Sequence, residues 1–264
     1  MNVETLSVLL RPRSLEDRVA QAAALVFDVD GTLAETEGIH RRAFNAAFIE
    51  AGLDWYWDYR TYKTLLRTTG GKERIRAFAR SRFPRVCLSD SEVVALHQRK
   101  TRHYGRLIAQ HTCRLRPGIA SLIRNARARG QALAIATTTT SSNIDDLLSV
   151  ALDQNWRSLF AAVVAGDDVE RKKPAPDVYL EVLARLKQRA SDCLAIEDSA
   201  NGLKAAIAAG IPALINRSEY FRDDDFSGAL AVVDDLTEFG LIPAAGVNHL
   251  EEMRFEKVCP DRND

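Results

Sequence analysis

The chain has 264 residues, enough for one large domain or a core carrying a smaller insert, and too many for a stapled mini-protein. Its 36 Lys and Arg residues balance 36 Asp and Glu, so the basic footprint of a nucleic-acid binder is missing and no nucleic-acid partner is expected. No apolar run approaches the roughly 20 residues of a membrane helix, and Met1 to Ala22 carries no continuous signal-peptide core, so the expectation is a cytoplasmic protein with no membrane partner.

In chain order, Ser14-Leu15-Glu16-Asp17 offers an N-cap with an acid three residues on, which predicts a short helix over Ser14 to Ala22. Ala23 to Phe27 is a continuous apolar run too short for a helix, and it ends at Asp28. A buried parallel strand reads this way. The pattern returns at Ala132 to Ala136, Ala161 to Ala165, Cys193 to Ile196 and Ala213 to Ile215. Helical stretches alternate with it over Asn143 to Leu152, Asp177 to Arg189 and Asn201 to Ala209. The alternation predicts an α/β fold with a parallel sheet covered on both faces, whose ligand crevice lies at the carboxyl ends of the strands. Polar residues do collect there: Asp28 and Asp30, Thr137 to Thr140, Asp167 and Asp168, and Glu197 and Asp198 all follow apolar runs.

Thr36 to His111 interrupts the alternation and reads as helical. Ile39, Ala43, Phe44, Ala47, Phe48 and Ala51 recur at helical spacing, and Ser89 to Glu92 matches a capping box. The expected organisation is an N-terminal extension (1–22), a core (23–35 and 115–245), an inserted all-helical cap (36–114) and a polar tail (246–264). Cys87, Cys113, Cys193 and Cys259 are too scattered for a zinc or redox motif, so free thiols in a reducing compartment are expected.

Asp28 and Asp30, separated by one residue after a strand, point the same way if the chain stays extended, and they can take different jobs. One attacks phosphorus and the other handles the proton of the leaving oxygen. Attack of one anion on another demands positive charge. Glu197 and Asp198 complete an oxygen-only set with Asp28 and the Asp30 carbonyl, which suits magnesium over zinc. Lys172-Lys173-Pro174 supplies a cation after the third strand, and Thr137 a hydroxyl for a phosphoryl oxygen. Taken singly, each of these features also reads as a turn, a cap or a solvated loop.

In this order, the Asp28-x-Asp30-x-Thr32 loop, Thr137, Lys173, and Glu197 with Asp198 resemble the four signatures of the haloacid dehalogenase-like phosphohydrolases, over roughly Ala23 to Val233. The resemblance implies a Rossmann-like core with a helical cap and a phosphoryl group carried on Asp28. It implies Asp30 as acid and then base, and Mg2+ held by Asp28, the Asp30 carbonyl and Asp198, with Glu197 in or beside that shell. Lys173 is preferred to Lys172 because the motif's lysine stands directly before a proline.

In the insert, Thr68 to Arg74 contains two glycines and then Lys72 and Arg74 in a first helical turn, where cations oppose the helix dipole unless an anion binds. Glu35, His40 and Arg41 or Arg42 flank the entry to the cap, and His40 resembles the histidine that beta-phosphoglucomutase-like members keep near substrate. Asp28 to Asn45, Trp55-Tyr56-Trp57, Thr68 to Ile75 and Thr137 to Thr140 further resemble the CbbY-type subgroup of xylulose-1,5-bisphosphate phosphatases. That implies Thr138 and Thr139 among the substrate contacts. The sequence departs from the subgroup at Thr140-Ser141-Ser142-Asn143, where Ser-Pro-Glu-Asn is usual. The expectation is a monomeric phosphoric monoester hydrolase acting on a small sugar phosphate. A mutase, a phosphoglycolate phosphatase and a non-catalytic binder on the same fold are the alternatives.

Overall fold

A computed structural model of the protein describes residues 14–85, 87–110 and 113–237. The expected N-terminal extension before Ser14, the tail from 246 and Cys259 lie outside these residues. Six parallel strands form one sheet in the order β3-β2-β1-β4-β5-β6: β1 (Ala24–Phe27), β2 (Ala132–Ala136), β3 (Ala162–Val164), β4 (Cys193–Glu197), β5 (Ala213–Asn216) and β6 (Ala231–Val233). The five expected strands are present. The sixth is a half-buried edge of three residues, too short to produce an apolar run.

The pleat divides β1 between two cores, as a period of two requires. Leu25 and Phe27 face one cluster, with Ile119 and Leu122 of α6 (Ile119–Ala128) and Ile144 and Leu147 of α7 (Ser141–Ala151). Ala24 and Val26 face the other, with Val178 and Val182 of α8 (Asp177–Leu186) and Leu203 and Ala206 of α9 (Ala200–Ala208). Val19 of the leading helix α1 (Leu15–Gln21), which Ser14 and Asp17 close with the expected capping box, joins the first.

Between β1 and β2 the chain forms the inserted helical cap: α2 (Glu37–Glu50), α3 (Tyr59–Leu65), α4 (Gly71–Arg82) and α5 (Asp90–Gln110). Phe44, Phe48, Trp55, Trp57, Tyr62 and Phe78 give it a core of its own. Cys87, Cys113 and Cys193 are free thiols. Among the described residues no helix is long and apolar enough to cross a membrane.

Register sets the site. Phe27 pairs with both Ile135 and Ile196, so β1, β2 and β4 end at one level, with Asp28 between Thr137 and Glu197. The chain crosses from the β3 side to the β4 side of β1, and at such a switch point a crevice opens beyond the carboxyl ends.

Candidate active site

A cleft of about 750 Å³, open mouth included, lies between this edge of the sheet and the cap. Asp28, Asp30, Thr137, Lys173 and Asp198 line its floor. The Asp28 N–H continues the β1–β4 ladder by donating to the Ile196 carbonyl at 3.0 Å. The following loop is wound tightly, with the Leu33 N–H on the Val29 carbonyl at 2.9 Å and the Gly31 N–H on the Ala34 carbonyl at 2.8 Å. Gly31 is required twice over: its φ is +81°, and a Cβ there would overlap the Asp198 carboxylate.

Lys173 is buried between two carboxylates. Its ammonium donates to Asp28 Oδ1 at 2.7 Å, to Glu197 Oε1 at 2.5 Å and to the Ala136 carbonyl at 2.8 Å. Burial opposes its charge, but Asp28 and Glu197 outweigh burial and hold the ammonium above the ordinary lysine value. Lys172 does not reach the cleft, because it donates to the carbonyls of Gly166 and Val169.

Three clustered carboxylates, only two of them paired with Lys173, remain under-compensated. Burial pushes the Asp28 carboxyl up to about 7 despite Lys173. Burial and then the charges of Asp28 and Glu197 raise Asp198 well above the carboxylate range. Asp28, Glu197 and Asp198 each offer an oxygen, all within 4.8 Å of one another, so this all-oxygen donor set with two unbalanced negative charges fits a hard divalent cation.

One oxygen of each key carboxylate is anchored and the other remains for the cleft. Asp28 Oδ1 is held by Lys173, and Asp198 Oδ2 accepts from the Ser218 hydroxyl at 2.6 Å. Asp30 Oδ1 accepts from the Thr36 hydroxyl at 2.6 Å and from His40 Nε2 at 2.9 Å. Glu197 differs: Oε1 accepts from Lys173 and from the Tyr179 hydroxyl at 2.6 Å, and Oε2 accepts from the Asp198 N–H at 3.3 Å. Both its oxygens already serve to hold neighbours. For Asp30, burial raises the carboxyl, but the charge and hydrogen bond of His40, the Thr36 bond and Lys100 outweigh it and hold the group at about 2.

Thr137 is buried, and its Oγ1 accepts from the Thr139 N–H at 3.3 Å. Thr138 and Thr139 line the cleft beside it. Asn143 donates to Thr139 Oγ1 at 3.0 Å while its own Oδ1 is buried with no partner among the described residues. Thr32, the last residue of the loop motif, is fully buried and does not line the cleft.

On the cap side His40, Arg74, Glu37, His97 and Lys100 face the floor. Arg74 donates to the Tyr62 hydroxyl at 3.0 Å, and Tyr62 donates to Glu37 Oε2 at 2.6 Å. His40 Nδ1 lies 2.7 Å from Lys100 Nζ, and the His40 ring stacks on Tyr104 with centroids 4.2 Å apart. Burial, reinforced by Arg74 and opposed by Asp30, brings Lys100 down to about 7.

Three expected cap contacts stand elsewhere. Glu35 is exposed beside the hinge, accepting from the Glu219 N–H at 3.3 Å and lying 3.5 Å from Arg116, so it ties the hinge and does not line the cleft. Arg42 is exposed and also off the cleft. It lies two positions past His40, about 200° round the helix, so the two cannot share a face. Lys72 is turned into an adjoining depression, 4.0 Å from Asp167 of the core. Glu37, Lys100, His97 and Arg116 were not anticipated. Glu37 had a readable signal, standing three residues before His40 on the same helical face. Lys100 and His97 are polar residues within a long amphipathic helix and had none.

A family model described as haloacid dehalogenase-like hydrolase matches residues 22–210. Protein CbbY, plasmid, of Cupriavidus necator is 52% identical over 216 residues, 81% of this chain and 85% of the relative. Protein CbbY of Rhodobacter capsulatus is 49% identical over 214 residues, covering 81% and 93%. Among solved structures, CbbY from Rhodobacter sphaeroides in complex with phosphate superposes with a TM-score of 0.78 at 42% identity, covering 83% of this chain and 96% of that one. A mutant of that protein in complex with xylulose-(1,5)bisphosphate gives 0.77 at 41%, covering 82% and 96%. With the floor of the cleft carrying the four signatures at the strand ends, this chain belongs to the haloacid dehalogenase-like hydrolases and, within them, to the CbbY-type phosphatases.

Proposed function

We propose that the protein hydrolyses a sugar bisphosphate, xylulose-1,5-bisphosphate, with magnesium held by Asp28, Asp198 and the Asp30 carbonyl. The observation that carries this reading is a cleft with Asp28, Lys173 and Asp198 on its floor and a basic wall, Arg74 and Lys100, facing them. One phosphate suits each end, and the relative seen with that bisphosphate shares the fold over most of both chains.

Asp28 attacks the phosphorus through its cleft-facing oxygen while Lys173 offsets the charge that gathers on the phosphoryl oxygens. Bound magnesium supplies the remaining positive charge against those oxygens. Thr137 donates its hydroxyl to one of them. Asp30 protonates the departing sugar oxygen through Oδ2, then removes a proton from the water that releases phosphate from Asp28. Asp30 is anionic beside His40 and Thr36. A phosphoryl dianion brought next to it raises its carboxyl by Coulomb repulsion, the direction that an acid for the leaving oxygen requires. Glu197 acts by fixing Lys173, since both its oxygens are engaged.

The test is phosphate release with magnesium over sugar mono- and bisphosphates, with isomerised product measured in the same samples to detect a mutase. Arg74→Ala is expected to lower kcat/KM for xylulose-1,5-bisphosphate about tenfold relative to that for a small aryl phosphate, mainly through KM. Equal falls for both substrates refute a cap anion site, and turnover that survives Asp28→Asn refutes the enzymatic mechanism.

A further inference from the structure

One loop of the core, running from Arg217 to Asp224 after β5, reaches both a carboxylate of the metal site and the cap. Its two ends grip the segment that carries Asp198. At the near end the buried Ser218 hydroxyl donates to Asp198 Oδ2 at 2.6 Å. At the far end Asp224 Oδ2 accepts at 2.9 Å from the N–H of Ala200, the first residue of α9. The base of the loop is fixed as well: Arg116 donates to the carbonyls of Asn216 and Arg217, and the Arg217 N–H donates to the Val233 carbonyl at 2.9 Å.

Between those ends the loop packs as part of the cap. Tyr220 is 5% exposed and sits in the aromatic core of the insert, its ring 4.8 Å from that of Tyr59 and edge-on to Tyr62 at 5.8 Å. Among the described residues every other buried member of that cluster comes from the cap itself. Phe221 packs on the same cluster and also lines the cleft, and Asp223 accepts from Lys63 of α3 at 2.9 Å. Ser218 and Tyr220 stand two residues apart, one holding an oxygen donor of the metal site and the other held by the cap. A ring packed this closely cannot shift without its neighbours, so the backbone between the two transmits displacement in either direction.

We propose that this loop is a strut through which the cap positions Asp198, with Ser218 and Tyr220 as positioning residues, so that magnesium affinity depends on how Tyr220 is seated in the cap. This rests on the magnesium reading of the site and adds the residues that tune it. With Oδ2 fixed by Ser218, Asp198 presents its other oxygen to the ion already aimed. Hydrogen-bonding partners of metal ligands set affinity in this way. Without the aromatic seat the loop loses its anchor, Ser218 follows it, and the carboxylate has to be ordered at each binding event. The coupling is reciprocal: an ion that fixes Asp198 also steadies the face of the cap that holds Tyr220.

The experiment titrates Mg2+ calorimetrically into the full-length chain freed of metal, for the wild type, Ser218→Ala, Tyr220→Ala, Tyr220→Phe and the double variant Ser218→Ala with Tyr220→Ala. Melting temperatures in chelator check folding. Ser218→Ala should raise Kd about tenfold or more. Tyr220→Ala should raise it about fivefold or more, and Tyr220→Phe, which keeps the ring, should leave it unchanged. The double variant should bind no more weakly than Ser218→Ala, because both substitutions act through one hydrogen bond. If Tyr220→Ala does not fold, Tyr220→Leu carries the test with the same expectation, since it keeps apolar volume but loses both ring contacts. A wild type that binds no magnesium overturns the metal reading itself. A wild type that binds it, with a Kd that either single substitution leaves unchanged or with effects that add in full, overturns the strut alone. A tyrosine that only holds the cap together would lower the melting temperature and leave Kd where it was.

Discussion

Asp28→Asn is expected to stabilise the metal-free protein at alkaline pH although it abolishes turnover. Burial, with Glu197 and Asp30 adding to it against Lys173, puts the folded Asp28 carboxyl at about 7 in place of 3.8. Between those values the folded chain holds a proton that the unfolded chain has released. Stability therefore falls as pH rises through the window, and the loss is complete above it. The whole gap is worth about 4 kcal/mol. Asparagine is neutral throughout and escapes this loss, so in chelator the advantage of the variant over the wild type should grow by about 3 kcal/mol between about pH 5 and about pH 8. Urea midpoints at unchanged slope measure it. Magnesium should shift the ranking the other way, adding about 2.7 kcal/mol to the wild type at a hundredfold excess over Kd, and less to a variant that lacks one carboxylate. A difference between the two proteins that ignores pH, or a wild type more stable than the variant at alkaline pH without metal, refutes the picture of three clustered carboxylates compensated by one lysine.

Two further outcomes follow from the same geometry. Asp30→Asn keeps an oxygen for Thr36 and His40 but cannot carry the proton, so kcat should fall by about 10²–10⁴ with KM changed only a few-fold; a fall under about tenfold in steady-state assays removes Asp30 from proton transfer. Arg116 donates to the carbonyls of Gly31, Asn216 (2.7 Å), Arg217 (2.5 Å) and Asp234 (3.2 Å), all left without a partner by Arg116→Met. A loss of about 3 kcal/mol or more is expected from chemical denaturation, and a loss under about 1 kcal/mol would mean that water replaces the guanidinium.

The floor of the site was legible in the sequence because the strands are short apolar runs that stop at their functional residues. Asp28, Thr137 and Glu197 sit one position past, or on the last position of, β1, β2 and β4, and sheet register then brings them together. The cap was less legible because its residues act across a helical surface, where position along the chain says little about facing. Near the hinge, Glu35 and Arg42 have suitable chemistry but face away from the cleft, while Glu37 shares the His40 face. Lys100 and His97 enter the site only because α5 packs along α2, a tertiary fact with no local signature. Arg116 gave no functional signal in the sequence. Its role depends on four carbonyls from three distant segments, none of which advertises a need for a donor.

The attachment of Asp30 to the insert separates the enzyme's two working carboxylates mechanically. Asp28 is fixed to the sheet through Lys173 and the β4 ladder, whereas Asp30 Oδ1 is bound to Thr36 at the head of α2 and to His40 within it. Any motion that swings α2 away also carries off the two groups that aim Asp30, and leaves the nucleophile behind. On the proposed mechanism, a water that meets Asp28 in such a posture would find no aligned proton acceptor.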